Sequence, residues 1–455
     1  MATTYEVRIY KTDIYRGKTK TTYWVQWSAA GRRHKRPFAT SALADSFRSK
    51  LVSAAREGIA FDVETGLPVT MIRAEREMSW LDFARAYVDM KWPRAAGNSR
   101  KGIAETLTTV TPVMFTTTRG KPADEVIRKA LNGWVFNPRR RQAIEPTDEI
   151  RAALSWVERN TRPVSTLSDP STVRTLLDRL ALKLDGTPAA PSVVKRKRAV
   201  LHNALEYAVE LRVLGHNPLP RVKWTAPKTV KTVDRRVVVN PRQAACLLRA
   251  VAEQQPSGPR LVAFFGVLYY AAARPGEAIN LRKQDLSLPE EGWGEILLWE
   301  SAPETGASWS DTGRRRDRRE LKHRAKGETR VVPCPPPLTA LLQEHLRTFG
   351  TNSEGYLFFG VRTGELISGG TYTRVWRKAR QAVLTPEEYA SPLARRPYDL
   401  RHAAVSTWLN GGVPPTQVAE WAGHSVHVLL QVYAKCLVGQ EETARRRIED
   451  MLKGY

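Results

Sequence analysis

Cysteine is scarce in this chain of 455 residues: Cys246, Cys334 and Cys436 are all it contains, and they lie far apart. That excludes a disulfide framework and a cysteine-based zinc spacing. The eight histidines are scattered and form no metal-ligand motif. No apolar run of ~18 residues occurs, so no membrane-crossing helix is expected, and no signal-peptide pattern opens the chain. A P-loop signature is missing too, which argues against nucleotide-driven chemistry. Together these gaps lead us to expect a protein of the reducing cytoplasm with no structural metal, no cofactor and no membrane partner.

Acidic residues are the other shortage. Lys plus Arg number 72 against 46 Asp plus Glu, a net charge of +26 with a pI near 10.2. Such a surplus suits a polyanionic partner, because each neutralised phosphate releases condensed counterions. An acidic membrane surface and plain solubility are the competing readings, and the missing membrane segment weighs against the first. A hydrophobic fraction of 42% and a charged fraction of 26% are those of folded domains. The length suggests about three of them.

Residues 1–74 read as a small unit. Tyr5-Glu6-Val7-Arg8-Ile9-Tyr10 and Thr22-Tyr23-Trp24-Val25-Gln26-Trp27 alternate as strands do, with Gly17 and Gly31 at turns. A third strand over 35–38 and a helix over 43–56 complete it, and 58–71, with Pro68, reads as a linker. Cations crowd the strands and turns: Arg8, Lys11, Arg16, Lys18, Lys20, Arg32, Arg33, Lys35 and Arg36. A sheet presenting cations and aromatics can enter a major groove; an ordinary solvated basic face is the alternative.

From Ser79, a candidate N-cap, the pattern turns helical, with Trp80, Phe83, Ala84, Tyr87 and Val88 on one face. Further helices are expected near 99–115, 123–131, 148–159, 170–182 and 192–213. The last carries Lys195-Arg196-Lys197-Arg198, suited equally to phosphate contacts and to a solvated face. Asn217-Pro218-Leu219-Pro220 breaks it, and the stretch to Asn240 reads as an extended basic linker. Beyond it we expect helices at 241–254 and 259–272, strands at 295–299, 321–324 and 329–332, and a mobile Arg/Gly/Ser-rich loop over 304–320.

The chemistry-bearing residues gather late in the chain. Arg274 precedes a helix opening at Pro275; Tyr398-Asp399-Leu400-Arg401-His402 opens another; Gly423-His424 follows, with Tyr433 nine residues past that histidine. Cleavage of a phosphodiester could use this set. Two guanidiniums can clamp the non-bridging oxygens, a phenol can attack phosphorus, and a lysine or histidine can protonate the leaving oxygen. Singly, each residue reads more readily as a helix-end arginine, a cap or a half-buried aromatic; only the ordered set points to chemistry.

That ordered set resembles the signature of the tyrosine recombinases, or phage-type integrases. The likeness is close over the catalytic region and looser over the helical region, where the last helix and Asn217-Pro218 fit. The N-terminal sheet resembles the arm-type DNA-binding domain of phage integrases. The resemblance implies a multidomain, mainly α fold with small β-sheets. Its parts would be a three-stranded sheet plus helix with a linker over 1–74, a helical SAM-like core-binding domain over 75–220, a basic linker over 221–240, and a mixed α+β catalytic domain with a C-terminal tail over 241–455.

In function it implies a site-specific recombinase that cuts and rejoins DNA through a 3′-phosphotyrosyl intermediate, integrating or excising a mobile element. Tyr433 would be the nucleophile, Arg274 and Arg401 would bind the scissile phosphate, His424 would hydrogen-bond it, and Glu277 would buttress the arginines. The family's catalytic lysine lies on a β-hairpin ahead of a Val-Pro segment. Here Lys322 and Lys326 both qualify, with Lys322 preferred on the strand beside the turn. DNA contacts would come from Arg8, Lys18, Lys20, Arg32, Arg33, Lys35 and Lys195 to Arg198. The partners implied are duplex attachment sites and a homotetramer on DNA, coupled through the tail over 441–455, with room for an accessory directionality factor; the location would be the nucleoid. A type IB topoisomerase, which needs no arm-binding sheet, and a non-catalytic DNA-binding regulator are the alternatives.

One position departs from the pattern. The residue three before the second arginine is usually histidine in this family; here it is Tyr398. A phenol titrating near ~10 is a poor proton acceptor at neutral pH, which leaves Tyr398 a positioning role and the nucleophile's proton acceptor open. His402, about 100° around a helix from Arg401, reads as structural.

Overall fold

The computed structural model describes residues 2–17, 21–71, 77–230, 232–322, 325, 327–433, 436 and 440–453; Lys18, Lys20 and Lys326 lie outside them. The fold is mainly helical with small sheets. The chain forms two compact units, Met1–Lys91 with Ile103–Ala226, and Trp92–Gly102 with Pro227–Tyr455. Among the described residues no helix is long and apolar enough to cross a membrane, and no cluster of side chains could hold a metal ion.

In the first unit the N-terminal sheet has four strands where three were expected. Thr21–Ala29 is central and pairs antiparallel with Val7–Ile9, Asp13–Arg16 and Arg32–Phe38. Alternation along it sends Val25, Trp27 and Ala29 inward, under Ala44, Phe47 and Leu51 of helix Ser41–Arg56. The extra strand, Asp13–Arg16, is exposed along its whole length, so it carries no inside–outside alternation to read. Residues 58–71 are no free linker: Phe61–Asp62 pairs with Thr3–Thr4, and the Trp27 indole donates to the Gly66 carbonyl. Gly66 has φ +69°, and a Cβ there would meet the His34 ring at 2.3 Å, so only glycine fits the turn.

The helical part follows its caps. Thr147 accepts from the Ile150 N–H at the start of Asp148–Arg159, and Asp169 does the same for Pro170–Leu180. Pro191–Glu210 buries Val194, Leu201, Ala204, Leu205 and Ala208 along one face. The linker after it is tied down at its start, where the Trp224 indole donates to Asp178 at 2.8 Å.

In the second unit a three-stranded antiparallel sheet has Gly294–Leu298 at its centre, between Leu286–Ser287 and Arg330–Cys334. The apolar helix Val262–Tyr270 runs through the main core, and a second cluster joins Ala404, Val405 and Leu409 to Val418, Ala422, Leu429 and Tyr433. The end of the basic linker is held here, since Val233 donates to the Val432 carbonyl at 2.8 Å and its side chain is buried.

Two expectations fail in this unit. Of the strand expected over 321–324, residues 323 and 324 lie outside the described residues, and Leu321 and Lys322 are not in a strand; Arg319–Glu320 pairs with Glu300–Ser301, and Arg330–Cys334 with Gly294–Leu298. Lys322 therefore stands in an exposed turn and not on a hairpin strand. The insert over 304–320 is organised, not loose. Asp317 is buried and accepts from the Gly97 N–H at 3.0 Å, Arg100 donates to the Trp309 carbonyl at 3.0 Å, and Trp92 packs on Trp309. Its partners lie more than two hundred residues upstream, out of reach of any local pattern.

Candidate active site

Four helix ends and one strand build the site. Arg274 precedes the short helix Pro275–Ala278, whose third residue is Glu277. The Glu277 carboxylate accepts the Arg274 backbone N–H at 2.8 Å and its guanidinium at 2.6 Å. On the other side it accepts from Arg330, at the start of strand Arg330–Cys334, at 2.7 Å. Glu277 and Arg330 are both almost fully buried. Burial alone would raise the Glu277 carboxyl, but Arg330, Arg274 and Arg401 outweigh it and hold the group down at about 2.

Arg401 lies in the first turn of helix Asp399–Asn410 and is fully buried. Its guanidinium donates to the carbonyls of Ala272 and Ala422 and, at 2.8 Å, to His424 Nε2. Because an arginine can only donate, that bond puts the His424 proton on Nδ1. Burial, then the charges of Arg401, Arg274 and Arg330, push His424 down to about 3, so it stays neutral.

The turn between Pro415–Ala422 and Val426–Tyr433 closes the cluster. Gly423 has φ +64°, and its carbonyl accepts from Arg274 at 2.8 Å. A Cβ at Gly423 would sit 2.0 Å from the Arg330 guanidinium. The glycine is thus dictated twice, by the left-handed turn and by the close approach of arginines.

Tyr433 ends helix Val426–Tyr433, buried at 1% exposure with its ring 6.1 Å from that of His424. Burial raises its phenol well above the usual tyrosine range, with Arg401 opposing. Its hydroxyl lies 2.9 Å from Nδ1 of His402. His402 was read as structural from its phase against Arg401; the neighbour that matters, Tyr433, comes from another helix. Tyr398 stands one turn before His402, its ring edge-on at 5.1 Å, and interacts with Arg274.

Arg274, Arg401, His424, Glu277 and Tyr433 are thus brought together, with Tyr398 alongside. Arg330 and His402 were missed. Arg330 could have been found as the one cation beginning a strand that otherwise alternates apolar residues inward. Lys322 is not drawn in: among the described residues no hydrogen bond or ion pair joins it to Arg274, Arg401 or His424.

The cluster holds three guanidiniums against one carboxylate, so positive charge is in excess. Two buried donors on it, Arg401 Nε and His424 Nδ1, have no hydrogen-bond partner among the described residues. Unpaired buried donors beside excess positive charge are what an anion-binding pocket requires.

Residues 238–438, the span that holds the cluster, match the phage integrase family. Solved structures similar to the chain include the Tn1549 transposon integrase in complex with a circular intermediate DNA, with a TM-score of 0.48 and 14% identity over 72% of this chain and 98% of that one. The XerH site-specific recombinase bound to difH substrate gives 0.46 and 12%, over 81% and 94%. A lambda integrase tetramer bound to a Holliday junction gives 0.47 and 13%, over 92% and 97%. No curated protein matches.

The candidate DNA contacts of the chain fall into two kinds. Arg8 and Arg33 flank Ser28, and Lys35 pairs with Gln26, so all three share the outer sheet face with Trp24, over which Lys35 Nζ sits at 5.1 Å. Arg32 pairs with Ala29, on the opposite face. On helix Pro191–Glu210, Lys195 and Arg196 are exposed and Arg198 is half-buried. Lys197 turns inward to Thr109 at 3.1 Å, its pKa lowered by burial.

Proposed function

We propose that the chain is a site-specific DNA recombinase that cuts and rejoins duplexes through a covalent link to Tyr433. The observation that carries this reading is the pair of unpartnered buried donors, Arg401 Nε and His424 Nδ1, beside excess cationic charge and within reach of a buried phenol. A scissile phosphate satisfies those donors. Arg274 and Arg401 then stabilise charge on the non-bridging oxygens as phosphorus becomes pentacovalent. Tyr433 attacks, the 5′ oxygen leaves, and the bond energy stays in the phosphotyrosyl link for rejoining. Glu277 holds Arg274 and Arg330 in register. Lys322 and Lys326 are the candidates for protonating the 5′ oxygen; Lys322 in its exposed turn would have to move onto DNA.

The domain assignments stand in the same proposal. The sheet over 1–74 binds arm-type sites through Arg8, Arg33 and Lys35, and the helical region over 75–220 binds the core duplex through Lys195, Arg196 and Arg198. Ile448, Met451 and Leu452 are exposed on the tail helix Gln440–Leu452. Apolar side chains in that position suit docking on another copy, which supports a DNA-assembled tetramer. The working site is the nucleoid, on a mobile element, with a directionality factor as an added partner.

Tyr433→Phe tests the chemistry. Wild-type protein is expected to form a covalent DNA adduct on Tyr433, and the variant to bind DNA equally while forming none. Adducts that persist in the variant would reassign the nucleophile, and a wild type that forms none would leave a DNA-binding regulator. Relaxation of supercoils without strand exchange would make it a topoisomerase.

A further inference from the structure

The proton on Tyr433 has to go somewhere, and the groups around it differ in what they can accept. His424 is excluded at Nε2, which already accepts from Arg401, and its Nδ1 carries the proton. Glu277 is committed to Arg274 and Arg330, and Asp399 to the backbone and guanidinium of Arg396, both at 2.8 Å. Tyr398 is a phenol, no better a base than the group it would deprotonate. Cys436 also acts on the Tyr433 phenol through its charge, but among the described residues the acceptor at hydrogen-bond distance from its hydroxyl is His402.

We propose that Nδ1 of His402 takes the phenolic proton of Tyr433 as that oxygen attacks phosphorus. The two atoms are 2.9 Å apart, within reach for direct transfer. The imidazole is held from two sides, by the edge-on Tyr398 ring at 5.1 Å and the tilted Tyr433 ring at 5.7 Å. Residues 398 and 402 lie one turn apart on one face of the helix. Where the family pattern has histidine, this chain has tyrosine, and an imidazole faces the nucleophile one turn later. Burial pushes His402 down to about 4, which Asp399 opposes and Arg396 and Arg401 reinforce. The ring is therefore neutral before attack; in its Nε2–H tautomer the Nδ1 lone pair accepts the phenolic hydrogen, and an arriving phosphate favours the protonated form.

The inference rests on the tyrosyl reading above. In the forward step the O–H proton passes to His402 Nδ1, the Tyr433 O–P bond forms and the P–O5′ bond breaks. The 5′ oxygen takes a proton from a lysine ammonium or water. On rejoining, the 5′ hydroxyl gives its proton back to that lysine amine or to hydroxide as it attacks phosphorus, the Tyr433 O–P bond breaks, and the phenolate recovers its proton from His402.

The experiment follows single-turnover adduct formation by the full-length chain on a nicked duplex selected from a random-sequence library by wild-type cleavage. The absence of a wild-type Tyr433 adduct would defeat the tyrosyl reading itself, so that failure is seen first and separately. His402→Ala removes the acceptor; His402→Asn keeps an acceptor oxygen near the Nδ1 position but cannot take a proton. Both are expected to cleave at least ~100-fold more slowly at neutral pH with unchanged DNA affinity. Both should recover as pH rises, and added imidazole should rescue the alanine variant. Cleavage by His402→Asn within about threefold of wild type would reduce His402 to a positioning residue and overturn the proposal. So would a slow His402→Ala that neither imidazole nor alkali restores, or an alanine variant as fast as wild type.

Discussion

The N-terminal sheet and the Arg274–Arg401 cluster use the same residue type in opposite ways. On the sheet, Arg8, Arg33 and Lys35 are exposed on one face, backed by Trp24 and free to meet an anion anywhere along it. In the cluster, Arg330 and Arg401 are buried and Arg274 nearly so, each fixed by a carboxylate or by main-chain carbonyls. Exposed cations bring affinity that salt screens and sequence hardly matters to. Buried ones bring geometry, at a desolvation cost that Glu277 and the carbonyls must offset. On the proposed reading, binding and bond cleavage are thereby separated within one basic chain.

The largest effect should come from removing the one buried counter-charge. Glu277→Gln leaves Arg274 and Arg330 without their carboxylate, and breaking a buried pair typically costs about 3–5 kcal/mol. Denaturant unfolding of the full chain should show that loss, with cleavage abolished and DNA binding by the sheet retained. A stable, active Glu277→Gln protein would mean the cluster is held by its carbonyls alone.

A middle-sized effect concerns pH. His402 and His424 titrate at about 4 and about 3 when folded and near 6.5 when unfolded, so between those values the unfolded chain binds more protons. Stability is then full above pH ~6.5 and falls as pH drops below it, by up to ~1.4 kcal/mol per unit for each histidine. Glu277, at about 2 against an ordinary 4.5, extends the loss below pH 4.5. Thermal melting between pH 7 and 5 should show the slope, and His424→Gln should flatten it. An unchanged slope in that variant would move its origin elsewhere.

The smallest effect belongs to the sheet. Arg33→Ala and Lys35→Ala should each lower the slope of log affinity against log salt by about one, with cleavage of a core-only duplex unaltered. Cleavage that falls as far as binding would erase the division between the two regions.

What was legible beforehand follows the same division between local and distant causes. Helix Pro241–Ala252 appears where 241–254 was expected because Asn240 caps it and Pro241 starts it, both local devices. Arg274, Arg401, His424 and Tyr433 were legible as an ordered set by resemblance, although no single one announces itself. The misses are pairings across the chain. Arg319–Glu320 finds its partner strand at Glu300–Ser301 and not in the expected hairpin. The insert over 304–320 is held by Gly97 and Arg100. His402 was judged against its neighbour Arg401, whereas its contact is thirty-one residues on, at Tyr433. Helical phase shows which residues diverge within one helix and is silent about what another helix brings.

The burial of Tyr433, at 1% exposure, has a kinetic consequence. On the proposed tyrosyl reading, a nucleophile sheltered in this way reaches phosphorus only in the fraction of molecules whose helix over 426–433 has eased outward, and that fraction multiplies the intrinsic rate of attack. Every 1.4 kcal/mol by which DNA or a neighbouring copy favours the eased form raises cleavage about tenfold, and every such amount withheld lowers it equally. A lone protein on stray DNA would then be a slow nuclease by population alone, without any defect in its chemistry.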